Sequence, residues 1–158
     1  MPQIHFVASH ELASKTAWKK IWPAPDDASA IVSAHLVIEA LLHTLIRSKI
    51  PHAEALEPAN LRFHQVLCLT QALRRKLKRE DWLWLTLDQL NRIRNRLSHD
   101  IHVHDLPARI EQLYAAAGHR INIHAPDADP KHREENRLKF FLLILCAVVQ
   151  NLRCEKKK

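Results

Sequence analysis

Gly118 is the only glycine among 158 residues, and that scarcity restricts the fold more than any other feature of the chain. Glycine-rich phosphate loops of the Walker or dinucleotide type are impossible, because they need several residues whose backbone approaches phosphate closely. Tight primed hairpin turns, which lean on Asn-Gly or Asp-Gly, are nearly excluded as well. No segment of useful length alternates with period two, whereas apolar residues recur at helical spacing in several segments. The expected fold is all-α, an antiparallel bundle of four to five helices, since each striped helix must bury its apolar face against another. At 18.3 kDa and 47% hydrophobic residues, the chain suits one domain, 1–158, with a real core.

Start and stop signals divide the chain. A short amphipathic helix is expected over about 9–21, capped by Ser9 and stopped by Pro23 and Pro25. A long helix follows from about Asp26 to Lys49, its acidic start suited to the helix dipole and its end set by Pro51. Ile31, Ala34, Ile38, Leu41, Leu42 and Leu45 form its wide apolar stripe. Pro58 and Asn60 open a third helix through about Lys78, and Glu80 or Asp81 opens a fourth that reaches about Ile101. Pro107 starts a shorter fifth piece that Gly118 ends. A polar loop, 121–130, precedes the last long helix, about 131–153, so the bundle core spans about 26–153 and a basic tail covers 154–158.

Lys and Arg number 24 against 17 Asp and Glu, a formal charge of +7, which favours a polyanionic partner, either nucleic acid or an acidic protein. Cys68, Cys146 and Cys154 are odd in number and lack a Cys-x-x-Cys pairing. Two of them sit in apolar runs and read as buried thiols in a reducing compartment. With no secretory apolar stretch at the N-terminus, a cytoplasmic location is expected. The longest apolar run, Phe140 to Val149, is too short to span a bilayer and reads as core or dimer contact, so no membrane role is expected.

The fourth helix carries the chemistry. At about 100° per residue, Leu83, Leu87, Leu90, Leu97 and Ile101 form one stripe, and Arg94 falls in the middle of it. An arginine there must snorkel, find an acidic partner, or face a polar cleft, because burying an unpaired guanidinium is costly. Asn91, Asn95, His99 and His102 gather on a second face with Trp84, Asp88 and Ser98. Taken singly, Arg94 reads as a bundle-edge ion pair and His99 as a helix-end residue bonding the final carbonyls. Together they read differently.

Arg94-Asn95-Arg96-Leu97-Ser98-His99 resembles the signature of the HEPN superfamily, an Arg, a polar residue, three more positions and a His. Ala34-His-Leu-Val-Ile-Glu-Ala-Leu-Leu42 resembles that superfamily's early helix, so the likeness covers roughly 26–153. The resemblance implies a HEPN-like helical bundle and a metal-independent endoribonuclease, often the toxin of a toxin–antitoxin or phage-defence system. It implies no cofactor, RNA as substrate, an antitoxin protein as partner, and a composite active site between two protomers. Arg94, Asn95 and His99 carry over as catalytic residues. Toxins controlled by adenylylation carry a Tyr two residues after the His, and here that position is Ile101.

Metal-free RNA cleavage requires deprotonation of the ribose 2′-hydroxyl, a proton for the departing 5′-oxygen, and positive charge on the developing phosphorane. His99 is the residue type that exchanges protons near neutral pH, and Arg94 offers permanent charge and a fork of donors for phosphate oxygens. Asn95 is placed to orient either the phosphate or the imidazole, with Ser98 and His102 in support. Arg94 and His99 are five positions apart, so on a straight helix they point roughly 140° apart. Two-fold pairing answers this by bringing Arg94 of one chain to His99 of another, which makes a homodimer the expectation. Glu39 is the candidate to orient Arg94, against the plainer reading of a solvent-facing glutamate. Arg74, Arg75, Lys76, Lys78 and Arg79, with Arg96 on the motif helix, are candidates to hold an RNA backbone beside Trp82 and Trp84. The plainer reading there, a solvated helix end and core indoles, is ahead.

Two competitors stand beside this reading. His99, Asp100, His102, His104 and Asp105 invite a metal, and adjacent His99-Asp100 resembles HD phosphohydrolases, whose further ligands have no match here. Twelve histidines in the chain weaken that clustering, and no metal is expected. The other competitor is a non-catalytic HEPN-like regulatory, protein-binding or nucleotide-binding module.

Overall fold

The structure is a computed structural model that describes residues 15–74, 81–100, 103–121 and 130–152. Within these the protein is helical and has no strand. The elements are α1 (Lys15–Ile21), α2 (Asp27–Lys49), a 3-10 segment (Ala53–Ala59), α3 (Phe63–Ala72), α4 (Asp81–His99), α5 (Leu106–Ala117), a 3-10 turn (Gly118–Arg120), α6 (Pro130–Glu135) and α7 (Arg137–Asn151).

Helix α2 is the hub. Asp26 caps it by accepting a hydrogen bond from the Ser29 N–H at 2.7 Å, and the chain turns extended at Ile50, immediately before Pro51. Its apolar residues pack against α1, α3, α4 and α7. By length and composition α2 is also apolar enough to cross a membrane, with half of that stretch buried inside the bundle. Helix α7 is buried on every side from Phe140 to Val149, so this run belongs to the core of the chain itself. Lys139 fixes α7 to the α1–α2 turn, donating from Nζ to the carbonyls of Trp22 (3.0 Å) and Ala24 (2.8 Å).

Several boundaries differ from expectation. The third helix begins at Phe63, because the two prolines before it favour a 3-10 segment that ends at Asn60 in the left-handed region, φ 46°. The last helix is broken in two at Asn136, whose ψ of 13° interrupts the helical run. Gly118 ends α5 with φ 57°, the one place where the chain uses its glycine's freedom. Cys146 is buried and its thiol is pushed up to about 12 by desolvation. Cys68, expected to be buried, is exposed, because α3 turns Val66 and Leu67 inward and the next position outward. Cys154 lies outside the described residues, as do the ends of the first, third and last expected helices.

Candidate active site

On α4 the inward face consists of Leu83, Trp84, Thr86, Leu87, Leu90, Asn91 and Ile93. The buried stripe therefore passes through Ile93, and Arg94 stands at its edge, half-buried. Trp84 is part of the core, and Trp82 is half-buried and packs against it.

A cleft of about 570 Å³ runs along this edge. Asn91, Arg94, Asn95, Ser98 and His99 of α4 line it, with His35 and Glu39 of α2 and Arg62, Phe63 and His64 at the start of α3. With Arg94 as origin, Ser98, Asn91 and Asn95 fall at about 40°, 60° and 100° around the α4 axis, and His99 at about 140°. The five residues thus cover one continuous arc, with Arg94 and His99 at its limits. The helix does not loosen there, since the Asp100 N–H still bonds the Arg96 carbonyl at 3.1 Å. Both limits of the arc line the same cleft of one chain.

Arg94 faces a polar cleft without a carboxylate partner. Its Nη1 donates to Asn95 Oδ1 at 3.3 Å, and among the described residues no ion pair joins it to an acid. Glu39 shares the cleft with Arg94, yet no hydrogen bond links them, so the structure does not display Glu39 as the orienting acid. Ser98 turns its hydroxyl back to the Asn95 carbonyl at 2.7 Å, helping to hold the helix end.

The floor of the cleft holds a residue that sequence reasoning missed. His35 is only 3% exposed. Its ring lies against Phe63 with centroids 4.1 Å apart, and its Nε2 is 3.2 Å from Asn91 Oδ1. With Nε2 donating to that amide oxygen, Nδ1 keeps an unshared lone pair and has no partner among the described residues. Burial pushes the His35 imidazole below its ordinary value, opposed by the Asn91 hydrogen bond and the Glu39 charge and reinforced by the Arg94 charge. A neutral imidazole therefore sits under a cationic cleft.

The other candidates are scattered. Arg96 is exposed on the far side of α4, where it acts on Asp105 and not on the cleft. Arg74 is half-buried and donates to the Leu152 carbonyl at 3.3 Å, away from the cleft lining. Arg75, Lys76, Lys78, Arg79 and His102 lie outside the described residues. Asp105 is engaged by Arg109 at 2.7 Å, and among the described residues no group of three or more His, Cys, Asp or Glu gathers as for a metal. At the cleft's edge, His64 Nδ1 is 3.6 Å from Asp88 Oδ1 and His64 Nε2 is 3.6 Å from the Cys68 thiol. Asp88 itself is held by Arg92 at 2.8 Å.

Fold and site together define an all-helical protein with a polar, cation-rich cleft beside its central helix. Comparison of the chain with protein-family models, with curated proteins and with solved structures gives no match.

Proposed function

We propose that the protein is a metal-independent endoribonuclease of HEPN type, acting as a toxin in a toxin–antitoxin or phage-defence system. The observation that carries this reading is the gathering of Arg94, Asn95 and His99 on the wall of one cleft, with the guanidinium free of any acid among the described residues. A permanent cation left unpaired in a concave site invites an anionic ligand. His99, exposed at the other limit of the arc, is the group to move protons.

In the proposed reaction the ribose 2′-oxygen attacks the adjacent phosphorus and its proton passes to an imidazole or water. The bond to the 5′-oxygen breaks, and that oxygen leaves with a proton. Arg94 bears the charge that builds on the non-bridging oxygens, and Asn95 steadies the guanidinium through their 3.3 Å contact. The products are a 2′,3′-cyclic phosphate and a 5′-hydroxyl.

Incubating the pure protein with RNA in chelator and analysing the cleaved ends tests this. Cyclic-phosphate ends from wild type, and none from Arg94→Ala or His99→Ala, are expected. Cleavage only with added divalent metal would refute the assignment. Expression in a bacterial host should arrest growth, and either substitution should relieve the arrest. A harmless wild type that leaves RNA intact would favour the non-catalytic binding module. A small co-transcribed protein that binds this chain and blocks cleavage would be the proposed antitoxin.

A further inference from the structure

Helix α2 carries a polar residue every fourth position, His35, Glu39, His43 and Arg47, which places the four on one slowly turning ridge about 18 Å long. The first two line the cleft described above. Glu39, His43 and Arg47 line a second cavity of about 290 Å³, closed on its other side by the 3-10 segment and the residues after it. Glu39 belongs to both linings, so the two cavities abut at its carboxylate.

The second cavity differs in chemistry from the first. Four of its lining residues are apolar, but Ile46 and Ala53 are buried and Leu56 and Leu61 are packed onto the core, so most of the surface it exposes is polar. Its polar groups sit around the rim: Glu39, His43, Asn60, and Arg47 held to Glu57 at 3.0 Å. The one arginine is already paired and two carboxylates are present, so the rim does not suit a phosphate. A neutral group rich in hydrogen-bond donors and acceptors suits it better, and the edge of a nucleobase is such a group. Glu39 makes no hydrogen bond or ion pair among the described residues, leaving its carboxylate open to donors. Among the bases, guanine presents two donors, N1–H and the N2 amino group, on one edge, and these match a carboxylate in the way a guanidinium does.

We propose that this cavity is a guanine subsite for the nucleotide next to the scissile phosphate, with Glu39 at the shared wall accepting from the base edge and His43 and Asn60 completing the rim. The proposal rests on the ribonuclease reading for its place in the reaction, and on the cavity alone for its ligand.

Two measurements test it. In the first, a randomised RNA is cleaved by the full chain and the ends are sequenced. Wild type should show about tenfold enrichment of guanine at one fixed position beside the cut. His43→Ala and Asn60→Gly should each lower that enrichment, measured relative to total cleavage. Asn60→Gly removes the side chain while keeping the left-handed backbone available. In the second, labelled protein is titrated with 5′-GMP or 5′-UMP, and the His43 ring and Asn60 amide resonances should move with the guanine nucleotide only. Equal movement with both nucleotides, movement with neither, or enrichment that persists in both variants would overturn the subsite. RNA cleavage without guanine preference sinks the subsite and spares the nuclease. GMP binding at His43 and Asn60 in a protein that cuts no RNA upholds the subsite and sinks the nuclease.

Discussion

Asn91→Leu removes the one hydrogen-bond partner of a buried imidazole and supplies nothing in return. His35 is 3% exposed, its Nδ1 is already without a partner, and Asn91 Oδ1 is the group that satisfies its Nε2 at 3.2 Å. Leucine is close to asparagine in size, so the main loss is polar: a buried ring with neither nitrogen satisfied. Stranding such a group costs about 1–3 kcal/mol, which for a chain of this length lowers the melting temperature by about 2–4 °C per kcal/mol. His35→Leu alone strands the Asn91 amide instead, though that residue is 8% exposed and nearer to water. The double variant His35→Leu with Asn91→Leu leaves no stranded group and should be nearly as stable as wild type, or more so. Urea unfolding of all four proteins at pH 7.5 gives the cycle. The reasoning fails if Asn91→Leu costs under about 0.5 kcal/mol, or if the double variant loses the sum of the two single losses.

The same pair sets a pH dependence. The folded His35 titrates below its ordinary value, chiefly through burial. Between the folded and unfolded values the unfolded chain therefore binds more protons, and stability falls as pH drops through that window. His35→Leu should flatten the unfolding free energy below about pH 6.5, and an unchanged slope would count against a neutral buried ring. Arg94→Ala should abolish RNA cleavage yet shift stability by no more than about 0.5 kcal/mol, since among the described residues its guanidinium hydrogen-bonds only to the exposed Asn95; a larger loss in urea would mean the arginine serves packing. In a Cys154→Ser background, native protein should be alkylated at Cys68 at once and at Cys146 only on unfolding, as mass spectrometry of the labelled peptides would show. Lys139→Met should cost about 1–3 kcal/mol by stranding the Trp22 and Ala24 carbonyls, read as a lower urea midpoint.

Much of the fold was legible because the limiting facts were local. Glycine scarcity and stripes of period 3.6 dictated helices, and Asp26, Pro51, Pro107 and Gly118 marked ends that α2 and α5 keep to within a residue or two. Local signals failed where the backbone leaves the regular α-helix. Pro58 reads as a helix opener but sits inside a 3-10 segment, and nothing around Asn136 announces a break. Cys68 is exposed despite its apolar neighbours, because its angle on α3 turns it away from the core. At the site, the α4 residues were visible as a motif, whereas the His35–Asn91 bond joins positions 56 apart and has no local mark. One signal was present and unused: the four-residue spacing of His35, Glu39, His43 and Arg47 on an otherwise apolar helix.

How many chains make one site now turns on the arc of α4. A homodimer with a composite site was expected because Arg94 and His99 diverge by roughly 140° on a straight helix. Helical bonding continues past that point, the Asp100 N–H reaching the Arg96 carbonyl, and both residues line one cleft together with residues of α2 and the start of α3. A phosphodiester is itself extended, with the attacking and departing oxygens on opposite sides of phosphorus, so groups approaching from two edges suit an in-line displacement. The cleft thus offers a one-chain arrangement beside the composite one. Mixing inactive Arg94→Ala with inactive His99→Ala separates the two arrangements. If each chain carries its own site, the mixture stays as inactive as its parts at every concentration. A composite site predicts that mixed dimers pair an intact Arg94 with an intact His99, restoring about a quarter of wild-type cleavage by random pairing. Recovery of that size, rising with protein concentration, would overturn the one-chain site and restore the interface to the centre of the mechanism.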